Sequence, residues 1–170
     1  DVVGVMEKRA AVLDDAESRI GQLLAIAATH AEQLENADGG TSAFQRILEI
    51  APLHEYAFQR LETLHTEAGR WEDLTDLYVT RYEHTENVRE RVGLLSKAAK
   101  VYETKLDDLE QALSALQIAW EEDYTNRATA RELERVTAAA SKWNELLTAA
   151  NAALQQVTDP EIKIAICLNC

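Results

Sequence analysis

The feature of this sequence that most constrains its fold is a repeat with a period of 72 residues. Trp143 follows Trp71 by that interval, and each tryptophan opens a four-residue stretch that ends in an acidic residue and a leucine. Shifting the chain by one period without a gap aligns further identical residues, which include Arg19 with Arg91, Gly21 with Gly93, Leu23 with Leu95 and Leu61 with Leu133. A gapless repeat of this length indicates an array in which similar units stack on their neighbours.

Each repeat unit has the pattern of α-helices. Glycine (6) and proline (2) are scarce, and no alternating apolar pattern is bounded by hairpin-type turns. One unit is too long for a single helical hairpin and suits two. The least regular stretch is 36–41, where Asp38, Gly39 and Gly40 predict a loop. The helical period predicts helices over residues 1–13, 16–36, 41–50, 53–68, 71–84, 88–106, 109–122, 127–140, 143–156 and 160–170.

Several helix ends are marked by capping residues. Asp15, Asn87 and Asp159 fall in one column of the repeat, and all three are good N-cap residues. Asn87 with Glu90, and Asp107 with Glu110, have the spacing of a capping box. Gly69 follows a predicted helix at the position where a left-handed residue is favoured. Because the links between helices are short, we expect successive helices to lie antiparallel.

The helical hairpins resemble tetratricopeptide repeats (TPRs). The residues that carry the resemblance are Phe44, Ile47, Pro52, Phe58, Leu61, Gly69, Trp71, Leu74, Tyr78, Leu95, Ala98, Ala99, Tyr102, Ala112, Leu116 and Ala119. Glu62 and Glu134 depart from the family pattern, which has a small residue there. Within this family the chain looks most like degenerate bacterial TPR arrays. The resemblance implies an all-α fold, namely a right-handed superhelical solenoid of antiparallel hairpins with about nine to ten helices.

The repeat predicts one continuous segment rather than separate domains. Double-hairpin units span 1–72 and 73–144, and a partial unit spans 145–170. Neither end has a polar capping helix, which predicts that the chain is a segment of a longer array. Trp71 and Trp143, which repeat in register just after a loop, are expected to pack between adjacent hairpins.

The charge of the chain disfavours several classes of partner. Its formal net charge is −13, so its surface repels phosphate backbones and anionic lipids. We therefore expect no nucleic acid among its partners. The longest apolar stretches are too short to cross a bilayer, and no secretory signal is visible. These patterns predict a cytoplasmic protein without membrane insertion.

No motif in the sequence predicts catalysis. Cys167 and Cys170 have the spacing of a metal or redox pair, but two further zinc ligands are missing. The repeat aligns both cysteines with apolar columns, so we expect them in the core. The histidines at 30, 54, 65 and 84 form no metal-binding pair. The sequence thus predicts a protein that is not an enzyme and has no cofactor or metal.

The predicted function is that of a scaffold that binds another protein, by holding a peptide or partner helix on the concave face implied by the resemblance. Two alternatives remain open. The first alternative is that the chain is a regulatory or oligomerisation segment of a larger enzyme. The second is that it is an RNA-binding helical repeat, and the net charge disfavours this second alternative.

The resemblance also implies which residues line the concave face, namely Gln59, Arg60, Thr63, Ser96, Lys97, Lys100, Arg131, Glu132 and Arg135. Five of these nine are basic, although the chain has 17 basic and 30 acidic residues. The pattern predicts a positive stripe that suits an acidic or carboxylate-bearing partner. The alternative is that these side chains only pair with neighbouring glutamates.

Overall fold

A computed structural model describes residues 2–33 and 37–168 of the chain, with side chains described for 2–30 and 38–168. All regular structure in these ranges is α-helical, as the sequence predicts, and they contain ten helices and no strand. The helices are α1 (Val2–Val12), α2 (Ala16–Gln33), α3 (Ala37–Ile50), α4 (Glu55–Ala68), α5 (Trp71–His84), α6 (Val88–Lys105), α7 (Leu109–Glu122), α8 (Arg127–Ala140), α9 (Trp143–Gln156) and α10 (Pro160–Leu168).

The chain divides into two compact units, Asp1–Thr80 and Arg81–Cys170, and the boundary falls within α5. In the first unit α2 packs on α1 and on α3, and α3 packs on α4. In the second unit each of the helices α6 to α9 packs on the next one along the chain. Short links such as 51–54 and 123–126 favour this order of packing.

Each unit has its own set of buried apolar side chains. In the first unit Ile26 and Ile47 are 0% exposed, and Leu61 is 1% exposed. In the second unit the core surrounds Trp120, which is 0% exposed, and it includes Leu116, Leu133, Val136 and Ile166. These residues recur on one face of their helices, which is why the helical period could be recognised in the sequence.

The predicted N-caps at one column of the repeat are confirmed. The side chains of Asp15, Asn87 and Asp159 accept hydrogen bonds from the backbone N–H groups of Ser18 (2.7 Å), Glu90 (3.1 Å) and Glu161 (2.8 Å), respectively. These bonds satisfy N–H groups that have no partner within the helix.

The predicted capping box at Asp107 is wrong by one residue. Asp108 is the N-cap of α7 and accepts a bond from the backbone N–H of Gln111 (2.9 Å). Asp107 instead adopts a left-handed conformation, with φ of 53°. Both residues are aspartates, so the composition of this stretch does not distinguish them. The backbone turn after α6 decides which of the two begins the helix.

The C-terminal ends of α4 and α8 have the same geometry, one repeat period apart. Gly69 (φ 67°) donates to the carbonyl of Thr66, and Ser141 (φ 57°) donates to that of Ala138. Arg70 and Lys142, which follow them, donate to His65 and Thr137 in the same pattern. This is the Schellman arrangement, in which a left-handed residue directs two N–H groups onto the last turn of the helix. The prediction for Gly69 is confirmed.

Exchanging the residues of these two caps should change stability in opposite directions. A side chain in the left-handed region costs about 1 kcal/mol relative to glycine. We therefore expect Ser141→Gly to stabilise the protein by about that amount and Gly69→Ser to destabilise it similarly. Urea unfolding monitored by circular dichroism measures both changes. A loss of stability in Ser141→Gly would contradict this expectation. It would show that the serine side chain stabilises the fold by more than its left-handed backbone conformation costs.

Helix α3 begins earlier than the sequence predicts. It starts at Ala37, so the Asp-Gly-Gly stretch predicted as a loop is its first turn. The glycines lie against α2: a Cβ built on Gly39 would lie 2.6 Å from Cγ of His30, and one on Gly40 would meet the carbonyl of Ala27 at 3.9 Å. Close approach of the two helices therefore explains the glycine at position 39, and packing overrides the loop propensity.

Candidate functional site

The predicted binding residues lie on three helices. Gln59, Arg60 and Thr63 are on α4 in the first unit. Gln59 donates a hydrogen bond to the carboxylate of Glu55 (2.7 Å), and the hydroxyl of Thr63 donates to the carbonyl of Gln59 (2.9 Å). These bonds lie within one helix. The other predicted residues belong to the second unit, on α6 (Ser96, Lys97, Lys100) and α8 (Arg131, Glu132, Arg135).

Four of the nine candidate residues, Ser96, Lys100, Glu132 and Arg135, line one cleft in the second unit. Ser96, Lys100 and Arg135 surround a cavity of about 440 Å³, which we call the α6–α8 cleft. Its remaining wall and floor are formed by Ala99, Glu103, Thr104, Leu116 and Glu132. Helical spacing explains the grouping, because residues four apart on α6 lie on the same face.

The positive charge of Arg135 is matched by two carboxylates. Its guanidinium donates two bonds of 2.6 Å to Glu103 and further bonds of 2.8 and 3.1 Å to Glu132. The hydrogen bond from Arg135 lowers the pKa of the Glu103 carboxyl, and the bonds to Glu103 and then Glu132 raise the pKa of Arg135. Arg135 is thus paired with neighbouring glutamates, as in the alternative interpretation, and together with Glu103 and Glu132 it forms a group with a net negative charge.

Lys100 is the cation of this cleft that lacks a direct carboxylate partner among the described residues. It is exposed, and among the described residues its ammonium forms no ion pair or hydrogen bond. The exposed Lys97, one turn earlier on α6, does not line the cleft. The cleft therefore presents one available ammonium beside an apolar floor of Ala99 and Leu116.

Arg131 faces a different cavity from Arg135. It lines a volume of about 320 Å³ together with Arg127, Ala130, Glu134 and Leu168 of α10. The sequence predicts one continuous stripe along α8, because residues four apart share a helix face. The neighbouring helices divide that face, and the two arginines lie at separate cavities.

A second cleft, in the first unit, is not among the sequence-based candidates. It has a volume of about 450 Å³ between α3 and α5 and is floored by α4, and we call it the α3–α5 cleft. Its lining residues are Gln45, Leu48, Glu49, Leu61, His65, Asp73, Asp76, Leu77 and Thr80. The signal that could have revealed it is the helical spacing of the polar residues on α3 and α5.

The second unit has a cavity at the equivalent place of the repeat, which we call the α7–α9 cleft. Its volume is also about 450 Å³. Five of its six lining residues, Gln117, Glu145, Thr148, Ala149 and Ala152, lie one repeat period after residues of the α3–α5 cleft, and the sixth is Asn144. The repeat thus produces the same cleft twice with different chemistry in its walls.

The two cysteines were the remaining candidates for metal or thiol chemistry, and the position of Cys167 differs from the expectation. Cys167 is exposed, and Ile166 beside it is 0% exposed, so the expectation that Cys167 is a core residue is wrong. Leu95, at the equivalent position of the preceding copy, is 3% exposed, so burial at this column does not extend to α10. Cys170 lies outside the described residues. Among those described, no three His, Cys, Asp or Glu side chains converge in a way that could hold a metal ion.

Comparison with protein-family models gives no match for this chain, and comparison with curated proteins gives none either. Within the described ranges, no helix combines the length and the apolarity needed to cross a bilayer.

Proposed function

We propose that this chain is a protein-binding scaffold of the tetratricopeptide type, in which hairpins stack as a right-handed solenoid. The helical hairpins and the repeat-equivalent caps at Gly69 and Ser141 support this proposal. The Asp38–Arg70 and Glu110–Lys142 ion pairs add support, because they too are one period apart. An array of this kind exposes long surfaces that suit extended partners.

The observation that carries the binding proposal is the α6–α8 cleft. Its apolar floor and the available ammonium of Lys100 suit a carboxylate-bearing segment of another protein, with an Asp or Glu side chain placed near Lys100. Glu103 and Glu132, already bonded to Arg135, limit the cleft to one such carboxylate. The proposal includes a cytoplasmic location, since the free thiol of Cys167 is typical of a reducing compartment.

A charge reversal at Lys100 tests this proposal. The probe is a fluorescein-labelled peptide with alternating leucine and glutamate, measured by fluorescence anisotropy on the full chain. Lys100→Glu should weaken binding by roughly tenfold or more, because a carboxylate then faces a carboxylate. Binding to the unchanged protein should also weaken as salt is raised.

Lys97→Glu is the matched control, since it makes the same charge change one turn away and outside the cleft. It should leave the affinity within about twofold, with unchanged helical content. Equal losses in both variants would indicate only a general response to net charge. Unchanged binding in Lys100→Glu would exclude this cleft as the binding site.

A further inference from the structure

The α3–α5 cleft concentrates negative charge in the first unit. Three carboxylates line it, from Glu49 on α3 and from Asp73 and Asp76 on α5. Among the described residues, Glu49 and Asp76 have no ion-pair or hydrogen-bond partner. The lining residues that the structure describes include no arginine or lysine. A cavity with this lining attracts a cation.

A buried imidazole with an unsatisfied nitrogen also lines this cleft. His65 is only 2% exposed, and its Nδ1 has no hydrogen-bond partner among the described residues. The nearest carboxylate, Oδ2 of Asp73, is 3.7 Å from Nδ1, which is too long for a hydrogen bond. A buried polar atom without a partner is costly, so a ligand that donates a hydrogen bond there would be stabilised.

Burial determines the charge state of this imidazole. Desolvation lowers the pKa of His65 and outweighs the opposite effect of Asp73, while Arg70 adds to the lowering. The ring is therefore neutral near pH 7 and has one nitrogen that accepts a hydrogen bond. With its proton on Nε2, the neutral ring accepts at Nδ1, beside the carboxylate of Asp73.

The apolar part of the lining suits a particular shape of cation. Leu48, Leu61 and Leu77 supply walls for a hydrocarbon stem, and the three carboxylates supply a charged end. Lysine and arginine side chains have this form, with methylene groups that bury and a charged end that needs acceptors. We propose that the α3–α5 cleft binds a lysine or arginine side chain from a basic segment of a partner protein.

The equivalent α7–α9 cleft shows that this chemistry is not a general consequence of the fold. At the positions of Asp76 and Leu77 it has Thr148 and Ala149, and Glu145 is its only carboxylate. Trp120 and Thr137, which stand one period after Leu48 and His65, are buried and do not line it. Only the first copy therefore combines an acidic rim with access to a buried imidazole.

This site is independent of the one proposed for acidic partners, because its lining is acidic and shares no residue with the α6–α8 cleft. Its test uses two tripeptides blocked at both ends, with lysine or the uncharged norleucine between alanines. Binding is followed on the full chain by ¹⁵N–¹H spectra, with the signals of the residues that line each cleft as the readout. The lysine peptide should shift signals of the α3–α5 cleft, and the norleucine peptide should shift them at least about tenfold less at equal concentration.

Removing the carboxylates distinguishes this site from the acidic surface in general. The double variant Asp73→Asn/Asp76→Asn should weaken lysine-peptide binding by roughly tenfold, whereas Glu145→Gln, at the position equivalent to Asp73, should leave it unchanged. If the double variant fails to fold, Glu49→Gln/Asp76→Asn removes two carboxylates outside the first turn of α5. His65→Thr, which introduces the residue found at the equivalent Thr137, should weaken binding several-fold.

Three results would overturn the proposal. The first is that the norleucine peptide shifts the same signals as strongly as the lysine peptide. The second is that the folded double variant binds the lysine peptide with unchanged affinity. The third is that spermidine binds the cleft more tightly than the lysine peptide, which would identify a free polyamine as the occupant. A loss of lysine-peptide binding in the carboxylate variants, with binding retained in Glu145→Gln, supports it.

Discussion

Replacing Trp120 with alanine is expected to destabilise the protein by about 3–5 kcal/mol, because a large buried side chain is removed. The side chain is 0% exposed, lies in the core cluster of the second unit, and packs edge-on against Tyr124 with 4.8 Å between ring centroids. Leu116, Leu133 and Ile166 belong to the same cluster, so the cavity cannot close without moving three helices.

Trp143 provides the matched control for this substitution. It is 46% exposed at the start of α9, so Trp143→Ala should cost less than about 1 kcal/mol. Urea unfolding of both variants, followed by far-ultraviolet circular dichroism, gives the comparison without depending on tryptophan fluorescence. Equal losses of stability in the two variants would contradict the packing described for the second unit.

The two tryptophans also show the limit of the repeat as a guide to the core. Trp71 and Trp143 recur in register, and the sequence predicts that they pack between hairpins. The fully buried tryptophan is Trp120, which stands where the first copy has Leu48. A repeat identifies equivalent positions, but how completely each side chain is enclosed depends on the helices around it.

Features determined by local chemistry were predictable from the sequence. The ten helices, the N-caps at Asp15, Asn87 and Asp159 and the left-handed Gly69 depend on residues within one or two turns. The error at Asp107 is a shift by a single residue at a helix end. Shifts of this size arise because capping and hydrophobic patterns tolerate a neighbouring position.

The candidate site was less predictable because its electrostatics depend on distant residues. Arg135 was assigned to a positive stripe, yet its strongest bonds are to Glu103, which lies 32 residues earlier on another helix. The α3–α5 cleft likewise combines residues from α3, α4 and α5. Helical spacing places a residue on a face of its own helix, but the packing of neighbouring helices determines which charges meet.

Adding a single methyl group at Gly39 should also destabilise the protein, by about 1–3 kcal/mol. The Cβ of an alanine would overlap the imidazole ring of His30, and the overlap involves Cγ at 2.6 Å as well as the outer ring atoms. A turn of the ring about the Cβ–Cγ bond leaves Cγ in place, so relief requires another χ1 rotamer of His30 or a movement of the two helices. We expect α2 and α3 to separate, or the first turn of α3 to unwind.

Gly21 and Gly93 serve as controls within the same protein. Each lies inside a helix, and a Cβ built on either meets nothing within 4 Å. Their replacement by alanine should stabilise the protein by about 0.5–1 kcal/mol, because glycine loses more backbone entropy on folding. The same unfolding experiment therefore gives opposite signs for Gly39→Ala and for these two variants.

The double variant His30→Ala/Gly39→Ala identifies the cause of the loss. If the clash with His30 is responsible, then in the His30→Ala background Gly39→Ala should cost less than about 1 kcal/mol, and the two substitutions should couple strongly. Additive effects would contradict this close approach of α2 and α3. The glycine at position 39 would then reflect the backbone of the first turn of α3 and not contact with His30.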